Sequence, residues 1–354
     1  MAARVPARLS GSRLREWSLR LLLMLGSLVV ALAMAEGMVR AFYPVVDGRD
    51  NVTLEGKPIK EWFPASTVYR QVSNEYDATT TITARRHRVP GTDGNPDVVF
   101  VGDSFTYGFG LKDDETFASI YCAARHVACA NLGLPGSGTS KQVERLRTFL
   151  DEWHWKPKEV KLFFFGMSGS FSAGNDFVDN YNYGRWLKAR SAGAGGGTVS
   201  LPGDVPRNQP PPSLAARMIG WQSSLLEHSH VMRRAKFHWG PLLKSLVIDD
   251  PGDRMAEALA YTERGLRELD DLSHQAGFDY TVYLIVPVQD IIRGTHIETL
   301  ATLNRVSLKP VVSTAPLFLD SPQTYYYSYD GHLNPRGSRQ IAELLISRDH
   351  EPGS

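Results

Sequence analysis

The stretch Asp97-Val98-Val99-Phe100-Val101-Gly102-Asp103-Ser104 limits the folds open to this chain more than any other. Its first five residues have the length and β-branched content of a buried strand, and the run ends abruptly in a small polar turn. Glu115 to Ala124 then reads as a helix, which puts Ser104 in the turn between strand and helix. In an open α/β sheet that turn lies at the carboxyl edge, where ligands bind. A serine there is a candidate nucleophile if a base reaches it and amide donors face the same point; a helix-capping serine is the competing reading.

Strand-like and helix-like segments alternate from Asp97 onward. Val127 to Leu132, Val160 to Phe165, Tyr280 to Val286 and Val306 to Val312 supply four further strands. Between them, Lys141 to Trp153 sets Val143, Leu146, Phe149 and Leu150 on one helical face, and a longer helix runs from near Asp253 to a stop at Gly277. The pattern predicts an α/β fold of three layers, α/β/α and flavodoxin-like, with a central parallel sheet of about five strands over residues 97–350. It is interrupted at about 184–250, where Ser191 to Gly197 and Pro210-Pro211-Pro212 cannot build a core. Leu214 to Lys236 reads as a helix within this insertion. Either it covers the active edge, where specificity would lie, or it packs on the rim as an interaction surface.

Residues 1–40 read as a cytoplasmic tail and membrane anchor. Arg4, Arg8, Arg13, Arg15 and Arg20 precede the uncharged stretch Leu21 to Ala35, a charge excess that keeps the N-terminus cytoplasmic and sends the rest across. Ala33-Met34-Ala35 also fits a cleavage site, so a removed signal peptide and a secreted product form the alternative. Both place the bulk of the chain on the extracytoplasmic, periplasmic side. Residues 41–96 form a juxtamembrane segment with little signal: Tyr76 to Thr83 is strand-like, Asn51-Val52-Thr53 matches a glycosylation acceptor, and Arg85-Arg86-His87-Arg88 reads as a solvated charge run.

Lys plus Arg (39) nearly balances Asp plus Glu (38), so no net field argues for a nucleic-acid partner. Two cysteines, Cys122 and Cys129, exclude a disulfide scaffold and four-cysteine zinc sites, leaving either one bridge or two buried thiols. His228-Ser229-His230 lacks a further ligand at metal spacing, and Gly133 to Lys141 lacks the Lys-Ser or Lys-Thr of a P-loop. No metal or cofactor is called for.

Among ten histidines, His332 stands out because Asp330-Gly331-His332-Leu333-Asn334-Pro335 is a turn-rich stretch opening the terminal helix, Ser338 to Ile346. That is again the carboxyl edge of the sheet, so His332 is the candidate base, with Asp330 to hold its Nδ1–H. Tyr325-Tyr326-Tyr327 and Tyr329 beside it either line a carbohydrate or acyl site or pack half-buried. Donors for an oxyanion are offered by Gly136, in Asn131-Leu132-Gly133-Leu134-Pro135-Gly136, and by Asn175, in Gly174-Asn175-Asp176.

With these four blocks in order, the sequence resembles the SGNH (GDSL-type) hydrolase superfamily over roughly Asp97 to Ile346. The resemblance implies that Ser104 is the nucleophile and donates its own N–H to the oxyanion hole, with Gly136 and Asn175 as the other donors. It makes His332 the base and Asp330 the orienting acid, with Asp320 a distant substitute. The last block is Asp-x-His rather than the commoner Asp-x-x-His and is similar to that of relatives that O-acetylate extracellular polysaccharides. The detour Gly166 to Ala173 before the third block is longer than usual. The expected activity is hydrolysis of an O-acyl ester of a small molecule, glycan or lipid. Acyl transfer to a polysaccharide, or glycan binding without turnover, are the alternatives.

Overall fold

The computed structural model describes residues 11–42, 52–54, 57–58, 63–91, 94–167, 175–191, 229–232 and 252–349. Asn51, Gly174, His228 and nearly all of the expected insertion, including most of the helix expected over Leu214 to Lys236, lie outside these residues. The chain divides into two compact units, Met1–Val45 with Asn208–Val247, and Val46–Arg207 with Ile248–Ser354.

In the first unit, α1 runs over Gly11–Phe42. Its Arg15–Phe42 part is long and apolar enough to cross a membrane, and its apolar side chains are exposed. A signal sequence meets the same description. Near its end the Glu36 carboxylate accepts hydrogen bonds from Ser229 Oγ and from the N–H groups of His230 and Val231, where a short helical stretch opens.

The second unit is built on two sheets. A four-stranded sheet combines β1 (Val52–Leu54), β2 (Lys57–Pro58), β3 (Thr67–Val72) and β4 (Asp77–Ile82) in the order β2-β1-β3-β4. β3 and β4 form an antiparallel hairpin across Ser73 to Tyr76. Of this sheet, the sequence marked only the last strand.

The larger sheet is parallel and contains β5 (Val98–Gly102), β6 (Cys129–Asn131), β7 (Glu159–Phe165), β8 (Asp279–Ile285) and β9 (Val311–Ser313) in the order β6-β5-β7-β8-β9. The order, 2-1-3-4-5, is that of the flavodoxin-like fold, and the parallel five-stranded sheet is the one expected from the sequence. β5 is buried at every position and β7 at all but its first, as central strands covered on both faces must be. The covering helices are α2 (Ser104–Tyr107), α3 (Phe117–Arg125), α4 (Thr139–Trp153), α5 (Asp176–Ser191), α6 (Gly252–Ala276), α7 (Val288–Arg293), α8 (His296–Asn304) and α9 (Pro335–Arg348). Phe100, Phe163 and Tyr283 stack through the core, with Phe117 tilted against the first two.

Three expectations change. The last strand is only Val311–Ser313, because residues from Val306 close the turn after α8 rather than extend. Ser104 does not sit in an open turn; it begins α2, a helix of four residues. The run at Arg85 to Arg88 is solvated only in its first half, since Arg86 is exposed but His87 and Arg88 are fully buried.

Cys122, on α3, and Cys129, on β6, are joined by a disulfide. Their sequence separation is 7, and closing so short a loop contributes about 2 kcal/mol by restricting the unfolded chain. Reductant should therefore lower the urea midpoint by the equivalent of about 2 kcal/mol. The Cys122→Ser/Cys129→Ser variant should not respond to reductant, and an unresponsive wild type would rule out the bridge.

Candidate active site

The turn after β5 is shaped by Asp103, not by the serine. Its carboxylate caps α2 by accepting from Phe105 N–H at 2.9 Å, so the capping task expected as Ser104's alternative belongs to its neighbour. Ser104 is left half-buried with its Oγ 2.8 Å from His332 Nε2, across 228 positions of sequence. Phe105 and Phe109 flank the imidazole, their ring centroids 4.8 and 5.1 Å from it. At its other end α2 is held by Arg88, whose buried guanidinium donates to the carbonyls of Tyr107, Gly108 and Leu111 and lies 3.5 Å from the Asp113 carboxylate. Nothing in the charge run announced this role.

His332 Nδ1 is hydrogen-bonded to Asp330 Oδ1. The two residues are separated only by Gly331, whose φ of +83° turns the backbone so that both side chains face one point. The loop is tied down around them: Tyr327 N–H donates to the His332 carbonyl at 2.8 Å and Asn334 N–H to the Tyr325 carbonyl at 3.0 Å. The Asn334 side chain caps α9 by accepting from Arg336 and Gly337 N–H. Tyr326 is buried and donates to the Val286 carbonyl, and Tyr327 donates to Gly110, so two members of the tyrosine run pack the loop.

Asn131 is fully buried and acts as a clasp: its Nδ2 donates to the Thr106 carbonyl of α2 at 2.9 Å, and its Oδ1 accepts from Gly133 N–H at 2.9 Å. The loop it starts carries Gly136, whose φ is +68° and whose missing Cβ would meet nothing within 4 Å. Glycine is there for backbone shape rather than for space. Asn175 is buried and caps α5, its Oδ1 accepting from Val178 N–H at 3.2 Å. The structure thus brings Ser104, His332 and Asp330 together, and puts Gly136 in the loop after β6 and Asn175 at the head of α5. Asp330, not Asp320, is the carboxylate hydrogen-bonded to His332. Among the described residues no three His, Cys, Asp or Glu side chains are grouped to hold a metal ion.

No protein-family model matches the chain, and no curated protein matches it. Solved structures are similar at low identity. A G-D-S-L family protein from Desulfitobacterium hafniense is 12% identical with a TM-score of 0.36, covering 72% of this chain and 99% of that one. A psychrotrophic esterase from Pseudoalteromonas sp. is 12% identical with a TM-score of 0.36, covering 71% and 94%. A catalytic mutant of an acetylxylan esterase from Geobacillus stearothermophilus is 12% identical with a TM-score of 0.35, covering 73% and 96%.

Three carboxyl groups, Asp103 beside Ser104 and Asp176 and Asp179 on α5, lie within electrostatic reach of one another. Burial pushes Asp103 up to about 6, against the opposing pull of Phe105 N–H and His332. Asp179 is pushed up to about 7 by burial and by the negative charge of Asp103, with Lys141 opposing. Asp176, fully buried and hydrogen-bonded to Gln142, is raised well above the usual carboxylate range by burial and by both other acids. A raised carboxyl holds its proton longer in the native state than in the unfolded chain. Its stabilising effect is therefore complete below the unfolded value, near pH 4, and is lost as pH rises through the folded value near 7. Asp179→Asn should match wild type near pH 4 and exceed it at pH 8 by about 1–2 kcal/mol, allowing for its partial exposure. Urea titrations at the two pH values measure the difference; equal stability at pH 8 would show that the Asp179 carboxylate is not disfavoured there.

Proposed function

We propose that this chain is an SGNH-type serine esterase, held at a membrane by α1 with its α/β domain on the extracytoplasmic side. It would hydrolyse an O-acyl ester of a glycan, a lipid or a small molecule. His332 Nε2 takes the Ser104 proton as Oγ attacks the ester carbonyl. Asp330 keeps the Nδ1–H tautomer and stabilises the imidazolium. Ser104 N–H, Gly136 N–H and the Asn175 side-chain amide receive the oxyanion. The ester C–O bond then breaks, and the alcohol leaves with the proton from His332. Water, deprotonated by the same imidazole, attacks the acyl group on Ser104 and releases the acid. No metal or cofactor enters these steps.

The observation that carries the reading is the 2.8 Å approach of Ser104 Oγ to His332 Nε2, with Nδ1 of the same ring on Asp330. A hydroxyl, an imidazole and a carboxylate in that order form the arrangement that makes a serine nucleophilic. Two independent features support the location. Arg15 and Arg20 lie at the start of an apolar helix, a charge bias that favours a cytoplasmic position for that end, and Cys122 and Cys129 are bridged, as befits an oxidising compartment.

The Asp-x-His spacing favours one second reading, in which a sugar hydroxyl replaces water and the acyl group is transferred. The first half-reaction is the same. Fluorophosphonate should label wild type and not Ser104→Ala. His332→Ala should reduce turnover of p-nitrophenyl acetate about a thousandfold or more. A Ser104→Ala variant with normal turnover would end the serine reading. An acetylated glycan supplied with and without acceptor sugars separates hydrolysis from transfer by whether free acetate or a new ester accumulates.

A further inference from the structure

The one-residue tether between Asp330 and His332 leaves the acid's orientation to be set by something outside its own turn. That support comes from 254 positions away, in the hairpin between β3 and β4. Tyr76 OH donates to Asp330 Oδ2 at 3.0 Å, while Oδ1 of the same carboxylate holds His332 Nδ1. The Glu75 carboxylate accepts from Tyr329 N–H at 2.9 Å and from Asp330 N–H at 2.8 Å. One residue thus fixes the backbone of the acid and the next fixes its carboxylate.

Tyr76 is itself immobilised. It is buried, its ring meets Phe109 edge-on at 6.2 Å and Tyr327 at 5.0 Å, and it closes on Gly110 so tightly that a Cβ there would lie 2.8 Å from the ring. Phe109 is the same ring that flanks His332. The hairpin turn that presents both residues is closed by Ser73, whose Oγ accepts from Glu75 N–H at 3.0 Å and Tyr76 N–H at 3.2 Å.

We propose that Glu75 and Tyr76 are positioning residues of the reactive group. Through them the small antiparallel sheet aims Asp330 Oδ1 at His332, so residues N-terminal to the parallel sheet are part of the machinery rather than a spacer. The inference rests on the serine esterase reading. A carboxylate anchored at Oδ2 keeps Oδ1 directed at Nδ1, whereas an unanchored one rotates about its Cβ–Cγ bond and holds the imidazole only part of the time. The effect should fall on turnover and not on binding, because neither residue is asked to touch the substrate.

The full-length chain is assayed with p-nitrophenyl acetate, and the rate of fluorophosphonate labelling is measured in parallel. Tyr76→Phe, which removes only the hydroxyl, should lower kcat roughly tenfold and slow labelling by the same factor, with KM changed less than about twofold. Glu75→Gln, which keeps the shape and one acceptor, should lose less than Tyr76→Phe. In an Asp330→Asn background Tyr76→Phe should have no further effect, the signature of action through that carboxylate. Thermal melting of each variant accompanies these assays, and Tyr76→Phe should melt within a few degrees of wild type. Wild-type kcat in Tyr76→Phe, or losses that simply multiply in the double variant, with Ser104→Ala inactive, would overturn this inference alone. A Ser104→Ala variant that still turns over would overturn the esterase reading beneath it.

Discussion

Ser104 Oγ and His332 Nε2 meet at 2.8 Å although 228 positions separate them, and most of the second unit is arranged so that they can. The parallel sheet ends all five strands on one edge, so the turn after β5 and the loop before α9 open toward the same side. Each is then fixed by a helix cap rather than by Ser104 or His332. Asp103 accepts from Phe105 N–H at the start of α2, and Asn334 accepts from Arg336 and Gly337 N–H at the start of α9. Because the neighbours do the capping, the hydroxyl and the imidazole keep their polar atoms for one another.

A four-residue helix has no stability of its own, and α2 carries the serine. Its last carbonyls have no intrahelical donors, and they are buried. Arg88 supplies donors to Tyr107, Gly108 and Leu111 at once. The arrangement is reciprocal: a guanidinium removed from water needs hydrogen-bonding partners as much as the carbonyls do, and Asp113 at 3.5 Å balances its charge. Burial settles the charges near the candidate oxyanion donors as well. Asp176 follows Asn175 directly, and an ionised carboxylate there would repel a developing oxyanion. Burial and two neighbouring acids raise Asp176 well above the usual carboxylate range, which disfavours its ionised form.

What was legible in the sequence follows a physical division. The strands β5, β7 and β8 and the helices α4 and α6 announce themselves because full burial or one-sided burial leaves a periodic apolar record. Alternation of strands and helices announces a parallel sheet. Ser104, His332 and Asp330 were legible as candidates because they fall just after strands, at the edge where ligands bind, although a capping serine and an ordinary surface histidine were competing readings. Glu75, Tyr76 and Arg88 were not, because their significance lies in partners 254, 254 and 19 or more positions away and no local pattern encodes a remote partner. The charge run misled for a related reason: Arg86 is exposed while His87 and Arg88 are buried, and composition alone cannot distinguish a guanidinium in water from one among carbonyls. A lone strand-like stretch at Tyr76 to Thr83 was the available signal, since a strand needs a partner and the nearest candidate lies just before it.

The edge of the parallel sheet shows why the small sheet belongs with the large one. β6 has only three residues, yet it delivers Asn131 and the loop to Gly136, so its position bears on the site while its own ladder is short. Three further ties reach it from different directions. The disulfide from Cys129 fastens its start to α3, and the Asn131 side chain fastens its end to Thr106 of α2. On its outer side Arg88 pairs with Asn131 in an antiparallel bridge, and Arg88 pairs in turn with Ile82 at the end of β4. The segment after β4 therefore covers the open edge and, through the Arg88 guanidinium, braces the helix that begins with Ser104. One residue joins the small sheet, the edge strand and the serine helix. Its backbone and its side chain contribute to the same end, a loop that has little freedom to drift from His332.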